Sequence, residues 1–458
     1  MATRTGTSLR VIEPATEQVL AEIREAGIEE ADQAVARAKA AFPAWRALTP
    51  RDRAGILRRL AAAVESHAEQ LAQLEARNVG KPISDARGEV GLVVDVFNYY
   101  AGAPERLFGE TIPVAGGVDM TFREPLGVVV LIVPWNFPLP IASWKVAPAL
   151  AAGNTVVLKP AGLTPLTAIE LGKIALEAGL PEGVFNVVVG AGRVVGERLV
   201  EHPDVAKIAF TGSTEVGKRI GALAAQSIKR VTLELGGKSA NIIFEDADLE
   251  RAAAVAPLAV FGNAGQDCCA RSRILVERSA LDRFMQAFEK AVKALRVGDP
   301  LNDQTEMGPL VSSEHRAKVA SFLDDGSPVA FRGSAPQGPG YWFAPTVLCP
   351  VSNTDRVARD EIFGPIAAVI PFEDEADAIR LANDTIYGLS GSIWTSNVAR
   401  AMRVARAVDT GTLSINSNTS VRVTTPFGGF KQSGVGRELG PHALEHYTEL
   451  KNVYLSTN

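Results

Sequence analysis

The sequence predicts an α/β protein whose parallel sheets are shared between more than one domain. Three observations carry this. Short β-rich runs alternate with helical stretches from Val128 onward, the pattern of βαβ units. The 458 residues are more than one compact core holds. The composition, 47% apolar and 22% charged, is that of a globular chain.

The elements follow in order. Thr49-Pro50, followed by Ile56, Leu57, Leu60 and Val64, reads as a capped amphipathic helix that runs to a stop near Gly80. The runs Val128–Val133, Thr155–Leu158, Phe185–Val189 and Lys207–Phe210 are expected as strands. Between them Ile141–Ala151, Pro165–Ala178, Arg193–Glu201 and Glu215–Ala225 have helical spacing. A second α/β series is expected from near Val231, with strands at Ala240–Phe244, Arg273–Val276 and Ala367–Ile370. Residues 332–345 (RGSAPQGPGYWFAP) form a loop by composition. The β-rich end Tyr447–Leu455 is suited to pairing with another chain.

Bulk properties exclude several classes. A net charge of −5 leaves no basic footprint for nucleic acid. Three cysteines cannot build a disulfide framework, which fits a reducing compartment. The first twenty residues lack an apolar signal-peptide core. The most apolar run, Val128–Val133, meets Pro134 too soon to span a bilayer. These features predict a cytoplasmic protein with no membrane partner.

Five places could carry chemistry. Cys268 lies in Phe261-Gly-Asn-Ala-Gly-Gln-Asp-Cys-Cys-Ala-Arg-Ser-Arg273, a thiol behind a Gly-Gln turn after an apolar stretch. Most buried cysteines are small core residues, but one placed at the end of an element can serve as a nucleophile. Gly212-Ser-Thr-Glu-Val-Gly217 follows a predicted strand and opens a helix; its glycines would let backbone amides approach a pyrophosphate. A plain tight turn would look the same. Lys159, at another strand end, is placed for a ribose or phosphate, or is an isolated surface lysine. In Pro134-Trp135-Asn136-Phe137-Pro138 two prolines stiffen a loop around Asn136. A fixed amide there suits an oxyanion hole, where loss of one donor costs about 10²–10³ in rate; an Asx turn is the alternative. Glu234, in Leu233-Glu-Leu-Gly-Gly237, is an acid in an apolar strand. Desolvation would raise its pKa and make it a usable general base, unless it is half of a buried ion pair. No metal-ligand cluster stands out.

Taken together these motifs resemble the NAD(P)-dependent aldehyde dehydrogenase family, from about residue 10 to the C-terminus. The matching runs are PWNFP, LKP, FTGSTEVG, LELGGK, FGNAGQDC, EIFGPI (361–366) and PFGGFKQSGVGRELG (426–440), in family order and spacing. The resemblance implies a Rossmann-like cofactor domain, an α/β catalytic domain and a small β oligomerisation arm. Residues 1–108 and 126–236 would bind the dinucleotide and residues 237–425 would be catalytic. Residues 109–125 and 440–458 would form the arm, and 426–439 would return near the cofactor domain. A homodimer or homotetramer is implied.

The resemblance also assigns roles. Cys268, two places after Gln266, matches the nucleophile, and Cys269 is left to the core or pocket wall. Asn136 and the Cys268 N–H match the oxyanion donors and Glu234 the general base. Lys145 and Glu438 match a proton relay. Trp135, Lys159, Gly162, Gly212, Ser213, Gly217, Leu235, Glu361 and Phe363 match or adjoin the NAD or NADP contacts. An acid at 234 points to hydrolysis of the thioester rather than transfer to a thiol.

Two departures narrow the expectation. Many members carry Glu three places after the cofactor lysine; here Gly162 stands there, which predicts that NADP is accepted. Asp267 precedes the nucleophile, where its charge opposes thiol ionisation by about 1–3 kcal/mol at intermediate dielectric. A cationic substrate would offset that, as in the aminoaldehyde group (4-aminobutanal or betaine aldehyde), with Phe137 and Trp144 lining the tunnel. Alternatively Asp267 pairs with Arg271 or Arg422. Arg422 could instead bind a carboxylate, as a succinate-semialdehyde enzyme would require; a broad-specificity enzyme and a non-catalytic relative are further readings.

Overall fold

The computed structural model describes residues 8–419 and 421–457. It has the expected α/β architecture, with two larger sheets among the described residues. The first runs Gly434–Val435, Arg230–Glu234, Val205–Thr211, Val128–Ile132, Thr155–Lys159, Phe185–Val187, parallel except for its first strand. Helices cover both faces, so Val128–Ile132 is buried along its whole length and reads as an unbroken apolar run. The crossover helix Pro138–Ala151 is likewise buried throughout.

The second sheet runs Val329–Arg332, Thr346–Leu348, Ile366–Phe372, Arg273–Glu277, Ala240–Ile243, Ser390–Trp394, Thr412–Ile415, with only Val329–Arg332 antiparallel. Val231 belongs to the first sheet, so the second series begins at Ala240 rather than near Val231. The apolar run through Leu235 misplaced that boundary, because the two strands lie on one stretch of chain separated only by residues 235–239.

The expected long helix to Gly80 is two helices, Pro50–Ser66 and Ala68–Val79. Thr49 caps the first, its hydroxyl accepting from Asp52 N at 3.2 Å. The chain leaves helical geometry at His67 and ends the second helix at Gly80, whose φ of +90° favours glycine. The C-terminal strand Thr448–Ser456 pairs with Gly117–Pro125, which pairs with Thr111–Val114, all within this chain. No described helix is long and apolar enough to cross a membrane.

Candidate active site

Two cavities meet at Cys268, which lines both. The larger, about 760 Å³, opens along the carboxyl ends of the first sheet, where ligands of open α/β sheets collect. The smaller, about 330 Å³, is walled in part by side chains of the helices Ile83–Ala101 and Pro138–Ala151.

The turn before Cys268 is the most contorted backbone in the site. Asn263, Ala264 and Gly265 have φ of 49°, 57° and 70° in succession. A non-glycine residue in that region costs of order 1 kcal/mol or more and persists only where its surroundings fix it. Gly265 has no alternative, since a Cβ there would lie 2.4 Å from Gly364 O. Gln266 ties the turn down: its Nε2 donates to Asn263 O (2.9 Å), and its Oε1 accepts from Val311 N (2.8 Å). Asn136 joins the same knot, with Nδ2 donating to Gln266 O at 2.9 Å and its carbonyl accepting from Asn263 Nδ2 at 3.1 Å. The nucleophile candidate and the amide candidate are therefore fixed relative to each other by buried hydrogen bonds.

The hydrogen bond to the neighbouring Cys269 thiol, then burial, hold the Cys268 thiol well above its ordinary pKa. Glu234 is almost fully buried, and neither carboxylate oxygen has a hydrogen-bond partner. Burial first, then the nearby Glu438 charge, raise its pKa well above the usual carboxylate range. The ion-pair reading of Glu234 therefore fails. The buried pair is Lys145 with Glu438, whose second oxygen is also unpartnered. Gly434 stands opposite Glu234 in the sheet, so the returning segment carries Glu438 into this region.

In the larger cavity Trp135, Lys159, Gly212, Ser213, Leu235, Glu361 and Phe363 all line the wall. Lys159 is buried, which lowers its pKa to about 8. Ser213 caps the helix Thr214–Ala225, leaving its first N–H groups at the cavity. A Cβ on Gly212 would sit 2.5 Å from the Phe210 ring, so the backbone there must stay bare. The carboxylate of Glu361 accepts from Gly237 N at 3.0 Å, and burial raises its pKa to about 6. A large cleft with a buried cation, a helix N-terminus and an opposing carboxylate fits a dinucleotide.

Two of the cofactor residues expected from sequence are not on that wall. Gly217 faces Leu235, where a Cβ would fall 2.3 Å from the side chain, so this glycine serves helix-to-strand packing. A Cβ at Gly162 would face Leu9 at 3.6 Å, away from the cleft. His315, Lys318, Arg193, Glu197 and Arg219 line the cleft and were missed. His315 Nε2 meets Phe363 O at 2.7 Å, and its ring stands 5.2 Å from Trp135, which is itself 5.2 Å from Phe363. Nothing in sequence spacing joins Trp135, His315 and Phe363; only the tertiary fold does.

The smaller cavity is lined by Asp267, Phe137, Trp144, Phe427, Glu89, Glu234 and both cysteines. Trp144 stands edge-on to Phe427 at 5.3 Å. Asp267 Oδ1 accepts from Cys269 N at 2.8 Å, and burial raises its pKa. Arg271 lies near enough for its charge to oppose that rise, while its guanidinium donates to Cys269 O and to Ser392 Oγ (3.0 Å). Arg422 is exposed and outside the cavity lining, which removes it as a substrate contact and as the partner of Asp267. Glu89, an acid in the wall that sequence gave no reason to notice, pairs with the buried Lys81 at 2.5 Å.

The aldehyde dehydrogenase family model matches residues 1–453. Betaine aldehyde dehydrogenase of Bacillus subtilis is 42% identical over 98% of this chain and 94% of its own length. An aldehyde dehydrogenase of Emericella nidulans is 43% identical over 98% and 92%. The crystal structure of betaine aldehyde dehydrogenase from Staphylococcus aureus in complex with NAD+ has a TM-score of 0.97 at 39% identity, covering 100% of this chain and 93% of that one.

Proposed function

This chain belongs to the aldehyde dehydrogenase family, and on that premise we propose that it oxidises an ω-aminoaldehyde or betaine-aldehyde-like substrate to the acid with NAD or NADP. The observation that carries the reading is Cys268 at the junction of two cavities, one suited to a dinucleotide and the other walled by Asp267 and aromatic rings. A cation lying beside Asp267 and against Trp144, Phe427 and Phe137 would meet a carboxylate and ring faces together. The relatives named for betaine aldehyde give the same direction.

The residues divide the work as follows. The Cys268 sulfur adds to the aldehyde carbon. The Cys269 hydrogen bond and burial favour the thiol over the thiolate, and its proton passes to water in the cavity as the sulfur attacks. Asn136 gives one amide N–H to Gln266 O; the other, with the Cys268 backbone N–H, holds the oxyanion. Bound NAD or NADP supplies the two-electron acceptor that turns the thiohemiacetal into a thioester. Glu234 then takes a proton from the water that attacks the thioester, releasing the acid and the Cys268 sulfur as a thiolate. Its unpartnered oxygens leave that carboxylate free for a water. Lys145 and Glu438 pass the proton on.

Lys159, Ser213 and Glu361 would hold the cofactor, with Trp135 and Phe363 as walls. Acceptance of NADP no longer rests on Gly162. It rests on Glu197, which lines that wall with Glu215 and Glu361, being held by Arg219 at 2.9 and 2.8 Å, with Arg193 and Lys159 adding positive charge. The domain division is the one the resemblance implies. The three-stranded sheet of Thr111–Val114, Gly117–Pro125 and Thr448–Ser456 serves as the oligomerisation arm, since Leu450, Leu455, Tyr454 and Phe122 are exposed on it. The free cysteines fit a cytoplasmic enzyme.

The test is kcat/KM for 4-aminobutanal, betaine aldehyde, pentanal and succinate semialdehyde, with each cofactor, for the wild type and Asp267→Asn. The cationic aldehydes should be preferred, and the substitution should cost them at least tenfold while pentanal changes less than threefold. Equal losses on 4-aminobutanal and pentanal would reject the role of Asp267. A preference for succinate semialdehyde would reject the substrate class.

A further inference from the structure

The reaction gives Cys269 no part, yet this residue lines the substrate cavity beside Cys268. The two sulfur atoms and a carboxylate oxygen of Asp267 all lie within 4.8 Å of one another. We propose that Cys268, Cys269 and Asp267 form a chelating site for a thiophilic divalent cation of the Zn²⁺ type, which blocks the nucleophile reversibly.

The geometry is close to what such an ion needs. Zn–S bonds of about 2.3 Å and Zn–O bonds of about 2.0–2.2 Å in a tetrahedron place two sulfurs roughly 3.8 Å apart, and sulfur roughly 3.5 Å from oxygen. Side-chain movements of about an ångström therefore close the site. Asp267 is already held by Cys269 N–H through Oδ1, which leaves Oδ2 for the ion. Three protein ligands leave a fourth position facing the cavity, where water completes the coordination.

The chemistry balances without an oxidant. Two thiol protons go to solvent as two S–metal bonds form, and nothing is oxidised or reduced. In the empty cavity two neighbouring thiolates and a carboxylate would repel one another; a divalent cation removes that repulsion, and the adjacent Arg271 guanidinium offsets the remaining negative charge. Two soft sulfur ligands select Zn²⁺ or Cd²⁺ over Mg²⁺ and Ca²⁺, which take oxygen. The bound ion occupies both the sulfur that would attack and the space of the aldehyde, so inhibition competes with aldehyde. The inhibition rests on the reading of Cys268 as the nucleophile, whereas the binding does not.

The experiment uses the full chain, reduced with a phosphine and free of chelator. Cd²⁺ is titrated while the ultraviolet thiolate–Cd²⁺ absorption is followed, and Zn²⁺ is titrated against steady-state oxidation of the best aldehyde. The wild type should show one Cd²⁺ per chain with a two-thiolate band, and Zn²⁺ inhibition that rises as aldehyde falls and is reversed by EDTA. Mg²⁺ should do nothing. Cys269→Ala, and Cys269→Ser as a second variant of native volume, should lose about half the band and become at least tenfold less sensitive to Zn²⁺, each variant's inhibition being read against its own metal-free rate. Unchanged Zn²⁺ sensitivity in both variants, or no thiolate band in the wild type, would overturn the site. A full band with undiminished activity would leave the cation site standing and overturn Cys268 as the nucleophile.

Discussion

The two cavities that share Cys268 are built from different material. The larger is shaped by backbone: strand ends, a helix N-terminus and glycines whose missing Cβ atoms leave room. The smaller is shaped by side chains drawn from distant parts of the chain, with Glu89, Trp144, Asp267 and Phe427 converging on one space. Backbone features demand particular residues at fixed spacing, so they leave motifs. Side-chain walls need only size and charge at positions that tertiary packing brings together. On the proposed function the first cavity governs the reaction and the second the substrate, and they should respond differently to substitution.

The largest effect is expected in the smaller cavity, at Glu234. Glu234→Gln keeps the shape of a side chain whose carboxylate has no hydrogen-bond partner, so the fold should hold. Loss of the base should slow turnover by about 10²–10⁴. The first turnover should survive, giving a burst of reduced cofactor equal to the enzyme, followed by slow release of acid. A loss of the burst itself would move Glu234 to the attack step. The buried carboxyl also predicts a stability change. Its folded pKa is raised, so the folded state holds the proton more tightly than the unfolded state. Its contribution is full below the unfolded carboxylate pKa and is lost as pH rises through the folded value. Glu234→Gln should therefore gain thermal stability relative to wild type on going from pH 5 to pH 9.

A smaller effect separates the cavities by pH. Burial lowers Lys159 to a pKa of about 8, so the wall of the larger cavity loses a positive charge between pH 7 and 9. KM for NADP should rise over that range by up to about tenfold, and more steeply than KM for NAD, because the extra phosphate needs the charge more. In Lys159→Met the slope should flatten. KM for aldehyde should not follow it. An identical slope in the variant would place the titrating group elsewhere.

The same contrast explains what could be read from sequence. The parallel sheets were legible because strands buried on both faces are runs of Val and Ile, as in Val128–Ile132. Cys268, Asn136 and Glu234 were legible because turn and strand ends fix their neighbours. The break at His67 was not, since helical spacing continues through it and no Pro or Gly marks it. Neither were His315 and Glu89. Each sits in an ordinary helix and meets the site only through packing, His315 against the Phe363 loop and Glu89 against Lys81. Arg422 erred the other way: proximity in sequence to the PFGG run suggested a substrate contact that the exposed side chain does not make.

The finest test lies just off the wall of the backbone-built cavity, at two glycines of equal standing in the sequence. At Gly217 an added methyl would lie 2.3 Å from Leu235, and at Gly162 it would meet Leu9 at 3.6 Å, an ordinary contact. Gly217→Ala should therefore force the helix Thr214–Ala225 away from the strand, at a cost of about 1–3 kcal/mol. Because Leu235 and the start of that helix both line the cofactor cleft, KM for cofactor should rise several-fold while KM for aldehyde stays. Gly162→Ala should change neither. Thermal melting and cofactor KM of the two variants, measured side by side, decide the matter. If Gly162→Ala weakens cofactor as much as Gly217→Ala does, then the 162 position lies on the working wall after all, and a carboxylate introduced there should turn the enzyme toward NAD.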